Sequence, residues 1–349
     1  MRRSILDLSF LPRHATNRAK KIPEMSMSQD RRKISAALLS VISNITLMIA
    51  KIVVGFLIGS VSIISEAIHS GIDLLAAIIA LISVKTSSIP ADEEHPFGHG
   101  KIENISGTVE ALLIFVAAIW IIYEASRKLI HPEPLEAVGW GVTVMLVSVL
   151  INSVVSEILF RVGRETDSVA LQADAWHLRT DVYTSAGVFV SLAIIGLGRQ
   201  YRPDLYLDWL DPVAAFTVAA IILRAAYNLT VQSARDLMDV QLPQEEAVWI
   251  RSLIMEHRPV IRGFHQMRTR KAGHFRFIEC HIQVDSKMSV DEAHQLTQHI
   301  SERIREKYRD STVTIHVEPC RGDCPEKCLT GCLMSEDERA RVRREEGRV

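Results

Sequence analysis

Residues 173–181 read ADAWHLRTD and lie inside a hydrophobic run, with His177 and Asp181 four positions apart. On a helix, positions i and i+4 share one face about one turn apart. An imidazole stacked on a carboxylate within an apolar segment supplies half of a tetrahedral metal site. The other half stands upstream in residues 66–73, EAIHSGID, where His69 and Asp73 repeat the spacing. Ionisable groups are expensive to bury in a membrane span, so they pair, face a cavity or mark an ion path. Either pair alone is also compatible with a hydrogen-bonded couple of purely structural use. Two identically spaced pairs in separate apolar runs favour a metal. Two imidazoles and two carboxylates suit a four-coordinate divalent ion, zinc above all, with cobalt, cadmium, iron or manganese as alternatives. A metalloprotease helix would need His-Glu-x-x-His, which the chain lacks.

Working outward, the chain is 48% hydrophobic yet 23% charged over 349 residues, with a mean hydropathy of +0.14. These values fit together if the apolar residues are gathered into spans and the charges lie outside them. A span needs about 20 mainly apolar residues. Six runs qualify, near 34–58, 62–84, 104–126, 137–160, 169–196 and 211–229, with a short turn from Gly55 to Ser62. Before them, residues 1–32 form a basic leader with Arg2, Arg3, Arg13, Arg18, Lys20, Lys21, Arg31 and Arg32, read as a cytoplasmic tail without a cleavable signal peptide. Six spans return the chain to the cytoplasm. Arg161 and Arg164 agree with that orientation, whereas Arg127, Lys128, Arg199 and Arg202 count against it. The net charge of −1 gives no sign of a nucleic-acid partner.

Beyond about residue 240 the pattern becomes that of a soluble domain. A helix is expected over 244–257, strands over 262–271 and 275–285 joined by a turn at Lys271-Ala272-Gly273, a helix over 289–308 and a strand from Thr312 to Val317. The expected fold is therefore an all-α six-helix transmembrane domain (33–235), then a small cytoplasmic α+β domain of ferredoxin-like αββαβ order (236–319) and a tail (320–349).

Further metal-binding residues stand outside the spans. Asp92, His95 and His99 share a loop with Gly98 and Gly100, a second metal site or simply a polar loop. His265, His281, His294 and His316, with Glu318, stand on separate expected elements and either converge on a two-metal cluster or are scattered surface histidines. His257, His274 and His299 show that the domain is rich in histidine anyway. Cys320, Cys324, Cys328 and Cys332 repeat Cys-x-x-x-Cys. Reduced thiols of this kind bind zinc or an iron–sulfur cluster readily, and incidental thiols, redox chemistry or membrane-surface modification are the alternatives. The stretch from Cys320 on is expected to be a flexible tail or a solvated helix.

The two His-x-x-x-Asp pairs, the loop HPFGHGKIEN (95–104), LMDVQLPQEE (237–246) and FHQMRTRKAGHFRFIECHI (264–282) together resemble the cation diffusion facilitator family, most of all its bacterial zinc-exporter-like branch. The resemblance spans about residues 33–320. It implies a homodimer in the inner cell membrane, both termini cytoplasmic, exporting divalent cations by exchange for protons, with alternating access. It implies no enzymatic activity and no organic cofactor; Zn²⁺ would be both cargo and regulator, and membrane lipid and protons the other partners. By position it assigns His69, Asp73, His177 and Asp181 to transport, Asp92, His95 and His99 to a loop site, and His265, His281, His294, His316 and Glu318 to a cytoplasmic cluster. Lys101 and Asp239 match a charge interlock between protomers. Glu318 replaces an Asp of the bacterial pattern, and His69 stands where some bacterial members have Asp. His–Asp–His–Asp leans to zinc over iron, manganese or cadmium because imidazole is softer than carboxylate. A rival reading is a membrane metal sensor that does not transport. A membrane metalloenzyme lacks a general base.

Overall fold

A computed structural model describes residues 22–58, 61–130, 140–201, 209–322 and 326–346. The basic leader through Lys21, the turn at Gly59 and Ser60, Arg202 and Cys324 lie outside the described residues. Six long helices come first: α1 (Ile22–Ile58), α2 (Val61–Ser87), α3 (Lys101–Ile130), α4 (Trp140–Glu165), α5 (Val169–Tyr201) and α6 (Leu210–Leu237). Among the described residues, all of these except α5 hold a segment long and apolar enough to cross a membrane, five in all. α1 starts at Ile22, so the end of the expected leader is helical.

Small side chains fill many of the helix contacts, beside larger ones such as Leu159 and Ile222, and large apolar side chains also cover the outside of the bundle. Ala37, Ala76, Ala80, Ala111, Ala173 and Ala226 are fully buried between helices, while Ile42, Phe56, Val116, Trp120 and Val154 face outward. Lipid-facing helices gain nothing by hiding large apolar side chains, and small residues let their backbones approach. α1 packs on α2 and α4, α3 on α6, and α5 against α2, α3, α4 and α6. This central placement of α5 brings His177 and Asp181 to the helix that bears His69 and Asp73.

The C-terminal part follows the order α7 (Gln244–Met255), β1 (Gly263–Ala272), β2 (Phe275–Asp285), α8 (Val290–Lys307), β3 (Ser311–Cys320). β1 pairs antiparallel with β2, and β2 parallel with β3. The parallel pair needs the α8 crossover. One sheet face carries Ile278, Cys280, Ile282 and Val284, buried against Ile250, Leu253 and Ile254 of α7 and Leu296, Ile300 and Ile304 of α8. The other face holds His265, His281, His316 and Glu318. α8 begins with a Ser289–Glu292 capping box, which satisfies two otherwise unpaired N–H groups.

The β1–β2 turn is shorter than expected. Lys271 and Ala272 stay in β1, and only Gly273 and His274 connect the strands, with Gly273 at φ +59°. Glycine in the first position of a two-residue hairpin loop is what that conformation requires.

The tail also differs from a free segment. Gly331 O accepts from Phe264 N at 3.0 Å, Leu333 N donates to Arg262 O at 2.9 Å, and Cys332 bridges to Gly263. The outer edge of β1 thereby gains partners for groups that would otherwise be unpaired. Beyond it, α9 (Glu326–Leu329) is followed by α10 (Glu336–Glu345), a charged helix capped by Ser335 and Glu338.

Candidate metal sites

Three sets of imidazoles and carboxylates gather within the described residues. In the helix bundle, ligand atoms of His69, Asp73 and Asp181 lie within 4.8 Å of one another. His69 Nε2 is 3.9 Å from Asp181 Oδ1. His177 joins through Asp73, its Nε2 lying 3.1 Å from Asp73 Oδ1. The two His-x-x-x-Asp pairs thus interlock crosswise, each imidazole meeting the carboxylate of the other helix. Asp73 and His177 are buried, and His69 is half-exposed. A cavity of ≈ 150 Å³ opens beside them, lined among others by Asn44, Lys51, Ser70, Asn152 and Thr184. Lys51 Nζ donates to Ser70 Oγ at 2.8 Å. Ligands about 2.1 Å from a tetrahedral zinc lie about 3.4 Å apart, close to the 3.1 and 3.9 Å of the two crosswise contacts, while His177 lies outside the group of three whose ligand atoms all fall within 4.8 Å.

The second set is Asp92, His95 and His99. The His95 N–H donates to Asp92 Oδ1 at 2.6 Å and the His95 ring lies 3.2 Å from the same oxygen, while His99 Nε2 is 3.4 Å from Oδ2. The His95 backbone N–H foremost, then its ring and the His99 ring, hold the Asp92 carboxyl below its usual range. Gly98 at φ +78° folds the loop back so that both rings reach one carboxylate.

The third set uses strand register. His265, His281 and His316 are direct partners across β1, β2 and β3, with ring centroids 5.3 and 4.7 Å apart. Glu318 reaches all three: Oε2 is 3.1 Å from His265 Nε2, and Oε1 is 2.8 Å from His281 Nδ1 and 3.9 Å from His316 Nε2. A β-bulge after His265 breaks the ladder there. His294 stands apart, exposed on α8, which packs on the opposite sheet face.

The Nδ1 atoms of His99, His177 and His265 are buried without a hydrogen-bond partner among the described residues, on the ring edge away from the Nε2 that meets each set's carboxylate. Among the described residues, Cys320, Cys328 and Cys332 form no disulfide and enter none of the three sets. Cys328 Sγ donates instead to Gln283 Oε1 at 3.0 Å.

Lys101 Nζ meets Asp239 Oδ1 at 3.0 Å within the chain. Arg270 meets the same oxygen at 3.2 Å. Despite some desolvation, these two cations hold the Asp239 carboxyl below its usual range.

Sequence reasoning missed a buried network at the cytoplasmic mouth of the bundle. Lys33, Glu103 and His274 are all buried, and Ser87 and Ser168 hydroxyls donate to Glu103 at 2.7 and 2.6 Å. His274 had no signal beyond its place beside a turn glycine. Lys33 falls at the start of the expected transmembrane domain, where no local pattern marks it for burial.

Residues 37–238 match the cation efflux transmembrane domain and residues 242–320 the cation efflux protein cytoplasmic domain. The chain belongs to this family, the cation diffusion facilitators, and is a cation efflux transporter rather than an enzyme. It is 37% identical over 261 residues to an uncharacterized transporter of Synechocystis sp., covering 75% of this chain and 82% of that one. It is 31% identical over 297 residues to the cation-efflux pump FieF of Klebsiella pneumoniae, covering 84% and 95%. A solved structure of the putative zinc transporter CzrB in its zinc form is 35% identical over 23% of this chain and 90% of that one, with a TM-score of 0.22.

Proposed function

We propose that this chain exports divalent metal, zinc foremost, from the cytoplasm through the His69–Asp73–His177–Asp181 site in exchange for protons. The observation that carries the reading is the crosswise meeting of the two His–Asp pairs beside a cavity in the helix bundle. Metal binding needs neutral imidazole and ionised carboxylate. Protons arriving from outside compete for His69 and His177 and expel the ion, and imidazole titrates in the range where such exchange works.

In this reading α5 is also a span, which makes six in all, both termini are cytoplasmic and the protein sits in the inner cell membrane. Two chains form a homodimer through the cytoplasmic domain, which has the ferredoxin-like element order. The domains run 33–235 and 236–319, followed by the tail. Asp92, His95 and His99 hold one regulatory zinc. His265, His281, His316 and Glu318 hold the cytoplasmic cluster, which His294 joins only by reaching it from elsewhere than its own sheet face. Lys101 and Asp239 fasten the two domains, and the tail thiols are an accessory metal-binding segment. The test is zinc flux into vesicles made with the intact chain and with Asp181→Ala. Flux that vanishes in the variant supports the reading. Metal binding without flux would favour the sensor.

A further inference from the structure

The hairpin of the cytoplasmic domain ends against the end of the helix bundle. Its tip lies so close to the start of α3 that a Cβ on Gly100 would sit 2.3 Å from Ala272 O, and one on Gly273 2.5 Å from Gly100 O. Gly273 N donates to Asn104 Oδ1 at 2.7 Å. On either side Lys271 and Arg276 hold Asp167, in the α4–α5 connection, at 2.7 and 2.8 Å. Between these clamps, His274 meets a lysine from α1: Lys33 Nζ lies 3.1 Å from His274 Nδ1 and 3.4 Å from Glu103 Oε1. Glu103 Oε1 is in turn 3.4 Å from His274 Nδ1.

An ammonium group only donates. His274 Nδ1 accepts from Lys33 when the ring proton is on Nε2, and donates to Glu103 Oε1 when the proton is on Nδ1; in either form the imidazole stays tied to the pair. The Phe275 ring stacks on the imidazole at 4.1 Å. Lys33 is fully buried, so a lost partner is not replaced by water at no cost. Its other contact is Asp30 at 3.7 Å on its own helix.

We propose that Lys33, Glu103 and His274 form a latch that fixes the cytoplasmic end of α1 to the β1–β2 hairpin, making Lys33 and His274 positioning residues for transport. The proposal rests on the transport reading above for its purpose. The strands that end in this tip carry His265 and His281 at their other end. The Asp92–His99 loop lies on the same hairpin, Phe97 against Phe277 at 5.7 Å. α1 supplies Asn44, Leu47 and Lys51 to the cavity beside the transport residues. The hairpin is thus a stiff rod with metal-ligating groups along it and a buried contact to a cavity-lining helix at its tip. Metal occupancy outside the membrane reaches the cavity through His274 and Lys33.

Amide hydrogen exchange on the full-length protein tests this without any flux measurement. An Asp181→Ala background removes the transport site, and zinc alone is the probe. With His274 present, zinc slows exchange both in the hairpin (271–276) and in residues 29–37 of α1. With His274→Ala, the hairpin still responds, whereas residues 29–37 exchange on the order of ten-fold faster and ignore zinc. Lys33→Met breaks the latch from the other side and gives the same split. His274→Gln, whose side-chain oxygen can accept from Lys33, restores the response. The latch is overturned if residues 29–37 respond to zinc equally with and without His274, or never respond. A role confined to folding would disturb hairpin and helix together. Absence of zinc flux in the unmodified protein would count against the transport reading alone.

Discussion

His177 Nε2 on α5 lies 3.1 Å from Asp73 Oδ1 on α2, joining residues 104 positions apart. Each His-x-x-x-Asp pair therefore finishes its ligand set on the opposite helix. Asp73→Asn keeps volume and hydrogen bonding but removes the anion. Zinc affinity at the transport site is expected to fall on the order of 100-fold, with the melting temperature close to that of the unmodified protein. Isothermal titration together with a thermal melt checks both halves of this expectation.

Glu318 is the hub of the cytoplasmic cluster, since both of its oxygens face imidazoles. Glu318→Ala should weaken zinc binding there by about 10- to 100-fold, and Glu318→Asp, one methylene shorter, should fall between. Competition with a chelating dye in an Asp181→Ala background isolates this site.

Much of this arrangement was legible in the chain itself. The i, i+4 spacing of His69/Asp73 and His177/Asp181 survives any rotation of a helix, so the two His–Asp pairs that meet in the bundle showed without a partner in view. Period-two alternation likewise gave β1 and β2. What stayed hidden depends on contacts between distant segments. Nothing local says that α8 covers one sheet face and leaves His294 away from His281. The same holds for Lys33, whose partners His274 and Glu103 lie 241 and 70 positions away. The tail looked free because its partner, the outer edge of β1, is recognisable only once the sheet order is known.

Cys280 is buried in the sheet core, and burial pushes its thiol up to about 11. A raised acid pKa keeps the neutral form, so the stability this burial provides is intact below the ordinary thiol range and is lost as pH rises from about 9 toward 11. In the native protein near pH 8, alkylation should spare Cys280 while the half-buried Cys332 reacts. Mass spectrometry after brief maleimide treatment distinguishes them, and rapid labelling of Cys280 would contradict the buried assignment.

The Lys101–Asp239 pair is close to half-exposed on both sides. A solvent-screened pair of this kind contributes no more than about 1 kcal/mol. The Asp239 carboxyl lies below its usual range, so its contribution is present above the ordinary carboxylate range and disappears only as pH falls below about 3.8. A double-mutant cycle with Lys101→Ala and Asp239→Ala at neutral pH should give a coupling energy within that bound. A coupling of several kcal/mol would mean that the pair is shielded from solvent in the working protein.

The central claim is that metal crosses the membrane through the four transport residues in exchange for protons. The direct measurement is zinc uptake into proteoliposomes under an imposed pH gradient, comparing the intact chain with Asp181→Ala. The account predicts uptake that follows the gradient in the intact protein and is abolished in the variant. Uptake that persists in Asp181→Ala, or that is indifferent to the gradient, would contradict it.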